Sequence, residues 1–171
     1  MKRLCLGIMM SMALTGISPD LTAADRELPV EGDFQPPKKP GLPPLKWNRL
    51  TGSRGTLEYL RDEKGGSIMM TPAADSTLGI YSPAVPAAAG EKIRIEATVY
   101  GDKITVLLMQ YAKGASTREQ QVDATREGKR IVCNFTVKDI PAKGPTRRIR
   151  VGFKLKGSPA TVADVKVFRI E

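Results

Sequence analysis

Apolar side chains recur at every second position through much of the chain, the period of a strand with one dry and one wet face. In Lys92–Tyr100, Ile93, Ile95, Ala97 and Val99 alternate with Arg94, Glu96, Thr98 and Tyr100. A second apolar run, Ile104–Tyr111, comes after Gly101-Asp102. That pair suits a tight turn, because glycine accepts positive φ and aspartate bonds its own backbone. The two runs are therefore expected to form a β-hairpin. Arg147–Lys156 alternates too, with Ile149, Val151, Phe153 and Leu155 on one parity and Arg148, Arg150, Lys154 and Lys156 on the other. In Arg130–Val137 the inward parity is Ile131, Cys133, Phe135 and Val137.

The rest of the chain is short apolar runs between turn residues. A short apolar element at Leu28–Phe34 leads into a proline-rich stretch ending at Pro44, where proline density forbids helix and central strand. Trp47 comes next and reads as a core plug in a chain poor in aromatics. Thr56–Leu60 and Ser67–Met70 flank a polar loop ending in Gly65-Gly66, a second hairpin. Thr77–Tyr81 is a strand closed by Ser82-Pro83, and Pro83, Pro86 and Gly90 are expected to carry the chain on without regular pairing. Ala112–Ser116 reads as a loop, Thr117–Asp123 as a polar edge strand, and Pro141, Gly144 and Pro145 as a crossover before Arg147. Thr161–Ile170 is the last strand. No amphipathic helix is evident, and about ten short, turn-bounded strands predict an all-β fold, a two-sheet antiparallel β-sandwich or jelly roll.

Composition narrows the setting. Lys2 and Arg3 precede the mostly apolar Leu4–Ile17 and the small residues Thr22-Ala23-Ala24, so residues 1–24 read as a signal peptide cleaved after Ala24. The apolar run is short for a membrane-spanning helix. The chain beyond Ala24 has the size of one domain: residues 25–46 form an N-terminal strand and proline-rich connection belonging to it, and 28–171 a single β-sandwich. The expected location is secreted or periplasmic, with no transmembrane segment after cleavage. The full chain carries 27 Lys and Arg against 18 Asp and Glu, a net charge of +9. Such an excess in an exported protein suits acidic polysaccharide or other anionic surfaces, and also simply favours solubility. Nucleic acid sits poorly with export. Cys133 is the only cysteine beyond the leader, so no intramolecular disulfide forms, and its inward parity makes it a small inert hydrophobe.

The chain contains no histidine, which removes His-based triads, histidine zinc sites and imidazole bases. No phosphate-cradling glycine loop is present. The acids are scattered rather than paired as a glycosidase requires. The chain is therefore read as non-enzymatic.

Val30-Glu31-Gly32-Asp33-Phe34-Gln35 with Trp47 beyond it, then Tyr81-Ser82-Pro83 leading to Ala89-Gly90-Glu91, and the closing Val162–Val167, together resemble the galactose-binding-domain-like jelly rolls. More narrowly, they resemble the carbohydrate-binding modules that bind xylan and β-glucan. The resemblance implies a structural calcium where the chain ends meet, with Asp33 and Asp164 as ligands; Gln35 and Ala163 stand where the family usually has acids. It also implies a glycan groove on a sheet face or rim. The residues expected there are Arg94, Glu96, Thr98 and Tyr100 on the wet face of the first run, Gln110 or Tyr111 according to which parity faces outward, and Arg118 and Gln120 alongside. The basic stripe Arg148, Arg150, Lys154 and Lys156 is a second candidate, for the sulfates or carboxylates of an acidic polymer, and is equally explained as a solvated strand face guarded against edge pairing. The expected partner is a polysaccharide or glycoconjugate. The alternative is a structural or protein-interaction domain of the cell envelope that kept the frame without a sugar site.

Overall fold

The computed structural model describes residues 25–63, 65–112, 114–140 and 147–170. Its strands are β1 (Arg26–Glu27), β2 (Asn48–Arg49), β3 (Gly55–Asp62), β4 (Gly65–Pro72), β5 (Thr77–Tyr81) and β6 (Val85–Ala87), then β7 (Lys92–Gly101), β8 (Lys103–Ala112), β9 (Gly114–Asp123), β10 (Lys129–Thr136), β11 (Arg147–Lys156) and β12 (Ala160–Ile170). No helix occurs among the described residues. The strands form two antiparallel six-stranded sheets. The first runs β10-β7-β12-β4-β3, with β1 beside the far end of β12. The second runs β2-β5-β11-β8-β9, with β6 beside β11. The protein is thus an all-β, two-sheet antiparallel β-sandwich of jelly-roll type.

The hairpin expected from β7 and β8 does not form. β7 lies between β10 and β12 in the first sheet, whereas β8 lies between β11 and β9 in the second. Gly101 and Asp102 carry the chain across the sandwich instead, tied by Gly101 N–H to Thr125 O (3.0 Å) and by Ala124 N–H to Asp102 O (2.9 Å). Alternation requires one dry face per strand and says nothing of which strand lies beside it. Here the dry faces sit on opposite layers of one core, Ile93, Ile95, Ala97 and Val99 in one and Ile104, Val106 and Leu108 in the other, all nearly or wholly buried.

Other boundaries moved for similar reasons. Leu28, Val30 and Phe34 are buried plugs beyond the short strand Arg26–Glu27, with Leu28 N–H continuing its contact to β12 through Val167 O (2.7 Å). Val85–Ala87 pairs with Arg147–Ile149, although proline was expected to keep it unpaired. The expected loop at Ala112–Ser116 is largely strand, with Ala112 opposite Gly114, and β9 is an edge strand as expected. β11 lies inside its sheet, so protection of a sheet edge does not explain its basic stripe. Residues 1–24, which the sequence marks as an expected leader, and the expected crossover at Pro141, Gly144 and Pro145 lie outside the described residues.

The N-terminal segment closes one end of the sandwich. Val165 N–H donates to Gly32 O (3.2 Å), and a Cβ on Gly32 would lie 1.6 Å from Val165 O, so only glycine permits this approach. Trp47 packs edge-on against Phe34 and stacks toward Phe153 of β11, with centroid separations of 4.9 and 6.3 Å, while its Nε1–H donates to Glu31 O (2.9 Å).

Cys133 is fully buried, and burial pushes its thiol up to about 11. An acid whose folded pKa is raised keeps its proton more firmly when folded than when unfolded. Its contribution is therefore intact below the ordinary thiol value of about 8.5 and is lost as pH rises from there toward 11. Urea melts should show stability falling across that alkaline window, with a shallower fall in Cys133→Ala. A neutral-pH thiol reagent should label only the unfolded chain.

Candidate functional site

The residues singled out in the sequence do not gather at one place, because the two strands that carry most of them belong to opposite sheets. Arg94 and Glu96 lie on the outer face of the first sheet in a chain of ion pairs. Asp25 meets Arg94 (2.6 Å), Arg94 meets Glu96 (2.8 Å), Glu96 meets Arg130 (2.9 Å) and Arg130 meets Asp164 (2.7 Å). The Arg94 guanidinium also sits over the Phe168 ring, 4.8 Å from its centroid. These groups hold β7, β10 and β12 together across the face and are engaged with one another. Tyr100 shares that face and is 39% exposed.

Gln110 faces inward and is only 2% exposed. Its Nε2 donates to Lys138 O (3.2 Å) and its Oε1 accepts from Lys138 N–H (3.0 Å), so it substitutes for a missing strand partner. Replacing it with alanine is expected to lower stability by about 1–3 kcal/mol, since two backbone groups lose their partner. Urea denaturation measures this, and glycan affinity should not change. Arg118 and Gln120 are cross-strand partners of the core residues Leu108 and Val106 and so point toward the core side of edge strand β9. They border a shallow hollow of about 410 Å³ beside Asn134 and Lys138, apart from Tyr100 and from the Arg150 cluster.

Tyr111 has the outward parity on β8 and lies on the outer face of the second sheet. There it meets the basic stripe of β11, whose register places Arg148 opposite Tyr111 and Arg150 opposite Met109. The Arg150 guanidinium carbon lies 4.8 Å from the Tyr81 centroid and 5.0 Å from that of Tyr111, so one cation contacts two rings. Its buried Nε has neither a hydrogen bond nor an ion pair among the described residues. Burial raises the Tyr111 phenol, reinforced by Tyr81 and opposed by Arg150, so the ring stays neutral at physiological pH. Along the same strand Lys154 is held by both carboxylate oxygens of Glu119 (2.7 Å each). Arg148 and Lys156 have no ion-pair partner among the described residues. Tyr81 is absent from the sequence-derived set. Its signal was the alternation of Thr77–Tyr81, which buries Leu78 and Ile80 and turns Tyr81 outward.

Asp33 and Asp164 border one trough on the outer face of the first sheet, as adjacent chain ends require. Calcium wants six to eight oxygens, carboxylates prominent among them. Here Asp33 Oδ1 accepts from Gly66 N–H (3.1 Å), and Gln35 turns its amide nitrogen toward Asp33 Oδ2 (3.5 Å). Asp164 is clamped by Arg130 through Oδ2 (2.7 Å) and its backbone oxygen (2.8 Å). No group of three or more acid, cysteine or histidine ligands occurs among the described residues. A guanidinium on one carboxylate and an amide nitrogen on the other do not fit a calcium cage.

No family model and no curated protein matches the chain. Solved structures do match its fold. One is a CBM4 module at 17% identity and TM-score 0.55, covering 81% of this chain and 97% of the other. Another is the family 11 carbohydrate-binding module from Clostridium thermocellum, in complex with a β-1,3-1,4-mixed-linked tetrasaccharide, at 13% identity and TM-score 0.54, covering 84% and 94%. The cyclase Fisc from Fischerella sp. TAU matches at 12% identity and TM-score 0.58, covering 85% and 98%. The chain therefore has the jelly-roll fold of carbohydrate-binding modules, a frame that also occurs in an enzyme. Activity has to be argued from the residues on that frame.

Proposed function

We propose that this chain is an exported, non-catalytic carbohydrate-binding protein that holds an acidic glycan across the outer face of the second sheet. The observation that carries this reading is the Tyr81–Arg150–Tyr111 cluster set in the basic line of β11. Aromatic rings offer flat apolar surface to a pyranose ring, and a guanidinium offers a planar fork to a carboxylate or sulfate. Alternate residues on a strand sit about 7 Å apart, so Arg148, Arg150, Lys154 and Lys156 form a charged track ~26 Å long. The tetrasaccharide bound by the family 11 neighbour supports a glycan as the ligand class. The absence of histidine and the engagement of Glu119 with Lys154 support a binding role over a hydrolytic one.

Affinity electrophoresis of the folded protein through gels carrying polygalacturonate, alginate, a sulfated galactan or neutral xylan tests the reading. Retardation by the polyanions that weakens with added salt is the expected result. A folded protein that migrates unretarded through every polyanion sinks it.

A further inference from the structure

The first sheet carries a different surface on its outer side, about which the basic stripe says nothing. A trough of about 810 Å³ crosses it. Its floor is set by register. Thr98 of β7, Ala163 of β12, Ser67 of β4 and Leu60 of β3 stand side by side across four strands, and Tyr100 pairs with Thr161 in the next row. At about 4.8 Å per strand the four-residue row is ~14 Å wide. Small side chains on three central strands leave the floor low, and the bulge between Ala163 and Lys166, where Asp164 adopts φ +47°, lifts the Asp164 carboxylate to its rim.

Tyr100 is held in place for this trough. Gly128 has φ +95°, and a Cβ there would lie 2.4 Å from Tyr100 Cε1 and 2.8 Å from Cδ1. The ring therefore rests directly on the Gly128 backbone while another side of it borders the trough, and 39% of the residue stays exposed. A large exposed aromatic seated on backbone is a preorganised platform whose ordering cost is met on folding. Around it stand the hydroxyls of Thr98, Thr161 and Ser67, and beyond them the carboxylates of Asp33, Asp62 and Asp164, the last paired with Arg130, with Arg61 the one cation in the lining among the described residues.

We infer that this trough is a second glycan site, selective for an uncharged pyranoside, which makes the protein bivalent with chemically distinct faces. A ring fixed against backbone stacks on a sugar face, threonine and serine hydroxyls exchange hydrogen bonds with sugar hydroxyls, and carboxylates accept from them. With Asp164 paired to Arg130, the described lining still carries more acid than base, so the trough favours a polyanion less than the basic face does. The inference shares with the preceding proposal only the ligand class. It concerns the other sheet.

Calorimetric titration with neutral hexasaccharides of glucose, xylose, mannose and galactose, alongside polygalacturonate, tests it. At least one neutral hexasaccharide should bind with an affinity little changed by salt. Tyr100→Ala should weaken that binding about tenfold or more, Tyr100→Phe should keep it within about twofold, and Arg150→Ala should leave it unchanged. Ser67→Trp, which fills the floor without touching the platform, should abolish it and guards against a misfolded alanine variant, with folding checked by circular dichroism. The inference is overturned if no neutral hexasaccharide binds folded wild-type protein, or if such binding survives both Tyr100→Ala and Ser67→Trp. It is equally overturned if Arg150→Ala removes that binding. Loss of polygalacturonate binding in Arg150→Ala with neutral binding intact confirms two sites. Absence of polygalacturonate binding in wild type sinks the basic-face proposal alone.

Discussion

Trp47→Ala is expected to destabilise the protein by about 3–5 kcal/mol, the range for removing a large aromatic from a packed core. Domains of this kind have a total stability of about 5–15 kcal/mol, so the variant should be close to unfolding at physiological temperature. The size of the effect reflects where Trp47 sits. It is 4% exposed, contacts Phe34 of the N-terminal segment on one side and Phe153 of the second sheet on the other, and holds Glu31 O through Nε1–H. The same segment is fixed to the first sheet through Gly32 and Val165. Removing the indole therefore opens a cavity and releases the segment that bridges both layers at one end. Trp47→Phe keeps most of the packing and loses the hydrogen bond, for an expected cost of roughly 1–2 kcal/mol including the smaller ring. Urea denaturation of the three proteins measures the series. An alanine variant within about 1 kcal/mol of wild type would show that the end of the sandwich is closed without Trp47.

Individual strands were legible in the sequence because alternation reports burial directly. β11 matches its sequence-derived bounds, and its inward residues Ile149, Val151, Phe153 and Leu155 are all buried. β5 matches likewise at Thr77–Tyr81. Pairing was not legible, since β7 and β8 satisfy the same alternation whether they lie side by side or face each other across the core. That ambiguity is what scattered the expected site. Arg94, Glu96 and Tyr100 went with β7 to the first sheet, and Tyr111 went with β8 to the second. Arg118 and Gln120 showed nothing in the sequence to mark them as inward residues of an edge strand, where the core side is itself partly open. The basic parity of β11 was visible from alternation alone. Its two aromatic neighbours lie roughly 70 and 40 positions earlier in the chain and are joined to it only by strand order.

The double variant Arg148→Ala/Arg150→Ala is expected to lose affinity for polygalacturonate by about a hundredfold at 0.15 M salt, the product of two charge-assisted contacts each contributing about tenfold. The two arginines differ in what they supply. Arg148 is exposed and without an ion-pair partner among the described residues, so it acts as a point of charge whose contribution fades as the Debye length shrinks from about 10 Å at 0.1 M to about 3 Å at 1 M salt. Arg150 is partly buried against Tyr81 and Tyr111, so its fork is oriented before ligand arrives and is screened less. Arg148→Ala should thus reduce the salt dependence of binding, whereas Arg150→Ala should lower affinity at every salt concentration. Arg150→Lys separates charge from geometry, because an ammonium keeps the charge but offers neither a planar group between two rings nor a bidentate bond to a carboxylate. It should recover only the salt-sensitive part of the affinity. If Arg150→Lys binds as tightly as wild type, the site is a field of charge and the two tyrosines have no part in it. If Arg150→Lys matches Arg150→Ala, the planar fork between the rings is what recognises the ligand.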